Sequence, residues 1–216
     1  MQSRQLRLAH GWILTRDWGV SESLVREFIR PAVRAVPSPM ARRLGPCRIA
    51  LLSQAEVDVT SRWTTTASAL ELSVTTGGFE EHDIAMELLV CLGQALWQRL
   101  SVAQWSTYWT ILRDEINSGI EGEIDEKALA EKRSLLESPC DANRACHLES
   151  YGRSSFAGTA AEYVHCLWHD VSIRSGANYL PAGALRRRLE LIARWFPPDR
   201  GHRLFPPPRR DAGLPR

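Results

Sequence analysis

Two stretches of the chain carry side chains at spacings that suit chemistry. The first runs His82-Asp83-Ile84-Ala85-Met86-Glu87-Leu88-Leu89-Val90-Cys91-Leu92-Gly93, in which Glu87 is the one polar side chain between Ile84 and Leu92. A carboxylate in such apolar surroundings is costly unless it has a partner, so this reading predicts one for Glu87. Glu87, Cys91, Gln94 and Gln98 recur at spacings of 4, 3 and 4, which places them on one polar stripe of a helix. The second stretch is Glu162-x-x-His165-x-x-x-His169. At helical spacing these three side chains project to one side, and a carboxylate with two imidazoles is a donor set for a divalent metal. A solvated polar face is the plainer reading of the same three residues.

Other candidates are weaker. His82 stands at the start of the first helix, where capping or surface placement is expected. Cys140, Cys146 and His147 are irregularly spaced, with no second ligand pair after them, so no zinc knuckle is expected. The sequence has no glycine-rich phosphate loop and no Gly-x-Ser-x-Gly elbow. Arg186-Arg187-Arg188 lacks the interleaved aromatics of a nucleic-acid platform. With a sequence pI near 8.4, no nucleic-acid partner is expected.

The elements that must position these residues follow from periodicity and punctuation. Ser21 caps a predicted helix reaching about residue 35, broken or kinked at Pro31. AVPSPMARRLGP reads as a proline-rich linker. CRIALLSQ (47–54) and ALELSV (69–74) read as strands, the second half-buried by its alternation. The segment 82–100 is predicted as a helix that is apolar on nearly all sides, and so surrounded by protein. Gly93 would let another element approach it closely. A second helix is predicted over 102–116, ended by Asn117-Ser118-Gly119. Residues 123–137 read as a charged surface helix in which Glu123 pairs with Lys127. Residues 138–150 read as a loop. Ser154 or Ser155 caps a helix to about 171, and a last helix covers about 182–196.

The order of strand, turn and buried helix ending in Met86-Glu87-Leu88-Leu89-Val90 resembles the zincin metallopeptidases. In that family the buried helix carries His-Glu-x-x-His: two histidines one turn apart bind zinc, and the glutamate polarises the metal-bound water. The resemblance puts Glu87 at the general-base position and Met86 and Val90 at the two histidine positions. Neither replaces an imidazole, because valine has no ligand atom and a thioether is a poor zinc ligand. The resemblance also implies that Glu162 stands where the family takes a third ligand from a later helix. It covers at most residues 47–172. It implies an α+β, helix-rich fold of zincin-like form, with a small N-terminal sheet packed on the buried helix and further helices C-terminal. It further implies that peptidase activity has been lost and that the domain acts by binding or as a structural module.

Composition sets the remaining bounds. At 216 residues, 44% hydrophobic and 24% charged, the chain reads as a single globular domain over 1–205 with an extended Pro/Arg-rich tail over 206–216. No apolar run is long enough to span a bilayer, and the N-terminus lacks the pattern of a secretory signal. A cytoplasmic protein without a membrane partner is expected. Five cysteines, odd in number and scattered, are expected to be mostly reduced, with Cys91 and Cys166 packing as small apolar groups.

Residues 1–48 and 186–216 each hold nine arginines against three acids, while 114–137 holds eight acids against three bases. One reading is therefore a scaffold whose basic termini dock an acidic protein partner. Another is a metal-dependent hydrolase with a displaced site built from Glu162, His165 and His169, with zinc as cofactor. The leading expectation is the degenerate zincin-like domain, with no cofactor and no peptidase activity.

Overall fold

The computed structural model describes residues 4–54, 60–137, 144–169 and 178–205. These form an α+β fold with seven helices and a five-stranded mixed sheet. The strands are β1 (Arg4–Arg7), β2 (Ile13–Arg16), β3 (Cys47–Leu52), β4 (Ser61–Thr65) and β5 (Leu70–Thr75), arranged in the order β1-β2-β3-β5-β4. The two inner ladders, β2 with β3 and β3 with β5, are parallel, and the outer two are antiparallel. Strand β3 buries Cys47, Ile49 and Leu51, and β5 buries Leu70, Leu72 and Val74, the alternation expected of strands with a buried face. Strand β4 is an edge strand built from the polar, threonine-rich stretch that precedes β5. Its burial is too slight to leave an apolar pattern in the sequence.

The chain between β2 and β3 departs from the sequence reading in two places. Ser21 Oγ accepts from the Leu24 amide at 3.0 Å, as a cap does, but Pro31 does not break the chain of helical turns, and the disturbance lies just ahead of it. The segment Leu24–Ile29 forms a π-turn, in which the Arg30 amide donates to the Val25 carbonyl five residues back. It runs directly into α1 (Arg30–Ala35), with Pro31 in the first turn. The wider turn takes up a residue that has no N–H to give. The predicted linker contains a helix, α2 (Ser38–Leu44). Pro39 lies in its first turn, where a missing N–H costs nothing. Asp199, far along the chain, accepts from both the amide and the hydroxyl of Ser38. Local composition pointed away from helix; burial of Met40, Ala41 and Leu44 decided otherwise.

Helix α3 (Glu81–Trp97) is the buried rod of the fold. It packs on β4 and β5 and most extensively on α6 (Arg144–Trp168). A Cβ on Gly93 would meet the Ala157 carbonyl oxygen at 2.7 Å and its Cα at 2.8 Å, so glycine permits the closest approach of α3 to α6. Helix α4 (Val102–Asn117) opens with a capping box between Ser101 and Gln104 and ends before Gly119, which has φ of 71°. Helices α5 (Glu126–Glu137) and α7 (Ala182–Trp195) complete the fold.

Two further sequence expectations fail. Ser154 and Ser155 are not caps: α6 starts ten residues before Ser154, and both serines are buried within it. The small residues Gly152, Ser154, Ser155, Ala157, Gly158, Ala160 and Ala161, all buried, let neighbours close on several sides of this helix. The 123–137 segment is not simply a charged surface helix. Glu123 lies ahead of α5 at 0% exposure and Lys132, within it, is at 1%. Among the described residues no helix is long and apolar enough to cross a membrane. The tail 206–216, Cys140 and the end of the predicted 154–171 helix lie outside the described residues.

Candidate functional site

Helix α3 presents two chemically distinct faces. The polar stripe foreseen from spacing turns toward β4. Ser61 Oγ donates a short hydrogen bond to Glu87 Oε1, and Trp63 Nε1 donates to Gln94 Oε1 at 2.9 Å. Glu87 thus has the partner its surroundings required, a serine from the edge strand. Cys91 lies on the same stripe; burial pushes its thiol up to about 11, and the Ser61 hydrogen bond only partly opposes that. It is a free, buried thiol. Met86 and Val90, half-buried, pack against the core.

The other face meets α6. His82 is not a cap: its Nε2 stands 3.1 Å from His165 Nε2. The ring centroids of these two are 5.0 Å apart, and His169 lies 5.8 Å from His165 and 6.3 Å from His82. Trp168 stacks on His82 at an interplanar angle of 21°. Behind the pair, Glu162 Oε2 is 3.5 Å from His165 Nδ1, and Asp83 Oδ1 is 3.5 Å from His82 Nδ1. His165 Nδ1 is buried and makes no hydrogen bond. The structure therefore gathers Glu162 and His165 at the end of α6 with His169 just past it, and adds His82 from α3. Among the described residues, no group of three or more His, Cys, Asp or Glu side chains is placed to hold a metal ion as it stands. Glu87 faces elsewhere. Five residues from His82, it is turned roughly 140° around the helix and is engaged by Ser61.

Helices α3 and α6 run antiparallel, since His82 meets His165 and Gly93 meets Ala157. Met86 and Val90 fall between these contacts on α3, and Glu162 falls between them on α6.

A third polar group was missed by sequence reasoning. Arg188, fully buried in α7, donates to Glu115 from Nε at 3.0 Å and from Nη2, to Glu123 at 2.8 and 2.9 Å, and to Ser155 Oγ at 2.7 Å. Tyr151 donates to Glu123 at 2.5 Å, and Lys132 Nζ donates to the Gly122 carbonyl at 3.1 Å while lying 3.6 Å from Glu123. Burial by itself would raise the Glu123 carboxyl. The charge and hydrogen bonds of Arg188, with help from Tyr151 and Lys132, outweigh it and hold this carboxyl below its ordinary value. Burial, then the Glu123 charge, pushes the Tyr151 phenol far above its ordinary value, so it stays a donor. The Arg186-Arg187-Arg188 cluster is therefore divided. Arg188 holds the interior, while Arg186 pairs with Glu190 and lies over the Phe205 ring. A signal was present: Ala184, Arg188 and Ile192 share one buried face of α7, and an arginine on an apolar stripe calls for a buried acid.

No family model, curated protein or solved structure matches the chain.

Proposed function

We propose that this chain is a zincin-like domain whose peptide-hydrolysing centre has lost its metal ligands, and that it acts by binding. The observation that carries this reading is the placement of α3 between an edge strand and a later helix. Glu87 faces β4, and Met86 and Val90 lie along the stretch of α3 bounded by the two contacts with α6, the helix that carries Glu162. That is the order a zincin centre requires, with both ligand positions apolar. The hydrogen bond from Ser61 ties up the carboxylate that a general base would need free. Among the described residues β4 pairs only with β5. Its outer edge, with Arg62 and Thr64 exposed, offers backbone donors and acceptors to an extended segment of a protein partner.

Restoring the ligands tests the reading. In a His165→Ala background, Met86→His with Val90→His is expected to gain one equivalent of zinc that is lost again on Glu162→Ala. The original chain is expected to leave a mixed fluorogenic peptide library uncut, with or without zinc. A folded double variant that gains no zinc would sink the zincin-like reading, and cleavage by the original chain would sink the loss of activity.

A further inference from the structure

We propose that His82, His165 and His169 bind a divalent transition metal of the zinc class, joining the start of α3 to the end of α6. The site uses neither Met86 nor Val90, which follow His82 by about one and two helical turns along α3, and it shares only Glu162 with the proposed degenerate zincin centre, as a backing carboxylate and not as a ligand.

The positions of the imidazole protons come first. A neutral imidazole has one N–H and one lone pair. Glu162 Oε2 faces Nδ1 of His165 and Asp83 Oδ1 faces Nδ1 of His82, each at 3.5 Å. His165 Nδ1 makes no hydrogen bond to the Glu162 carboxylate, but the negative charge on that side of each ring favours the Nδ1–H tautomer, and a bound ion would draw the pair into the carboxylate–histidine arrangement found behind metal ligands. Both Nε2 atoms then direct lone pairs at each other across 3.1 Å. Two lone pairs at that separation repel, and a cation between them removes the conflict. Zinc bound tetrahedrally at about 2.0–2.1 Å from each nitrogen would set the two nitrogens roughly 3.3 Å apart.

The third ligand comes from just past the end of α6, where the His169 amide still donates to the His165 carbonyl at 2.8 Å. His165 and His169 have the one-turn spacing that lets two imidazoles share an ion. Three imidazoles on one tetrahedral zinc place their ring centroids roughly 5 Å apart. The His82–His165 pair is already at 5.0 Å, and His169 stands at 5.8 and 6.3 Å. His169 is exposed, so rotation of its side chain by about an ångström closes the set, with water in the fourth position. The N-terminal end of α3 opposes a cation beside His82, and the groups around it answer that. The pair sits at the C-terminal end of α6, and the first turn of α3 carries Glu81 and Asp83. His82 is 37% exposed, which leaves an entry path. No glutamate follows His165, where Cys166 stands, so the ion is assigned a clamping role and not a hydrolytic one.

The test uses the full chain without an affinity tag, stripped with chelator, desalted, and titrated with zinc chloride against a chromophoric competitor. One equivalent per chain is expected. His82→Ala and His165→Ala should each abolish it, and Glu162→Gln should weaken it about 10- to 100-fold through loss of the backing carboxylate. Circular dichroism and the urea midpoint of each variant separate lost binding from lost fold. Cobalt in place of zinc should give a four-coordinate visible spectrum that changes in His169→Ala; an unchanged spectrum would remove His169 from the site. Absence of stoichiometric zinc, or binding that survives both His82→Ala and His165→Ala in folded protein, overturns the proposal. So does a histidine pair that titrates by NMR with no response to zinc, which would leave a shared proton as the cation.

Discussion

Two polar clusters flank α6 and differ in how completely they are satisfied. The cluster around Arg188 is sealed, with Arg188, Lys132, Glu115 and Glu123 all at 1% exposure or less. Its two cations face two carboxylates, and each carboxylate accepts from a guanidinium. The histidine cluster at the end of α6 is half-open and incomplete. His165 Nδ1 is one of two buried polar side-chain atoms without a hydrogen-bond partner among the described residues, and two imidazole nitrogens face each other. Burial of charge is therefore no guide to function by itself. A network that closes on itself, as the first does, has nothing left with which to bind a ligand. A cluster in which one buried imidazole nitrogen has no partner and two imidazoles share a single contact does.

Breaking the sealed cluster should have the largest effect. Arg188→Met leaves Glu115 and Glu123 buried, with Lys132 and the more distant Arg187 as the cations near them and the Tyr151 hydroxyl still donating to Glu123. Uncompensated buried charge of this kind costs about 3–5 kcal/mol. Urea denaturation should show the loss, and a stability within about 1 kcal/mol of the original chain would mean that the cluster is not the keystone of this core.

Acid should weaken the same region without any mutation, and by less than truncation does. The folded-state value of Glu123 lies below its ordinary 4.5. Its contribution is therefore complete above that ordinary value and is lost as pH falls through the lower, folded-state one. Thermal unfolding followed across acidic pH should show this decline, and Glu123→Gln should flatten it. An equal decline in that variant would place the acid sensitivity elsewhere.

The smallest effect is expected at the histidines. His82→Ala removes a side chain that is 37% exposed and should change metal-free stability by about 0.5 kcal/mol or less. A loss as large as that of Arg188→Met would make the two clusters alike and remove the contrast between them.

Much of the scaffold was legible because single elements were strongly patterned. The apolar run from Ile84 to Leu92 marked α3 as buried, the alternation of 69–74 marked β5, and Gly93 marked a close approach. The polar stripe on α3 was read from its spacing, but its partners Ser61 and Trp63 were not. Strand β4 is too polar to announce itself, and only its ladder with β5 makes it a strand. Glu123 misled for a related reason: its sequence neighbours make it a helix-surface residue, while Arg188, 65 positions later, makes it a core anion. His82 looked like a helix-end residue until α6 brought His165 to it.

The sequence by itself determined that this chain has a buried α3 whose apolar stretch from Ile84 to Leu92 holds one glutamate, Glu87, with Met86 and Val90 beside it, and that Glu162, His165 and His169 recur at helical spacing. These are properties of residue type and helical period, which act within a few turns of chain. Tertiary structure decided which polar groups are spent and which are open, because hydrogen bonds between α3, α6 and α7 join residues that lie 33 to 83 positions apart. Periodicity carries no information over such distances, and the choice between a sealed ion cluster and an open histidine cluster is made there.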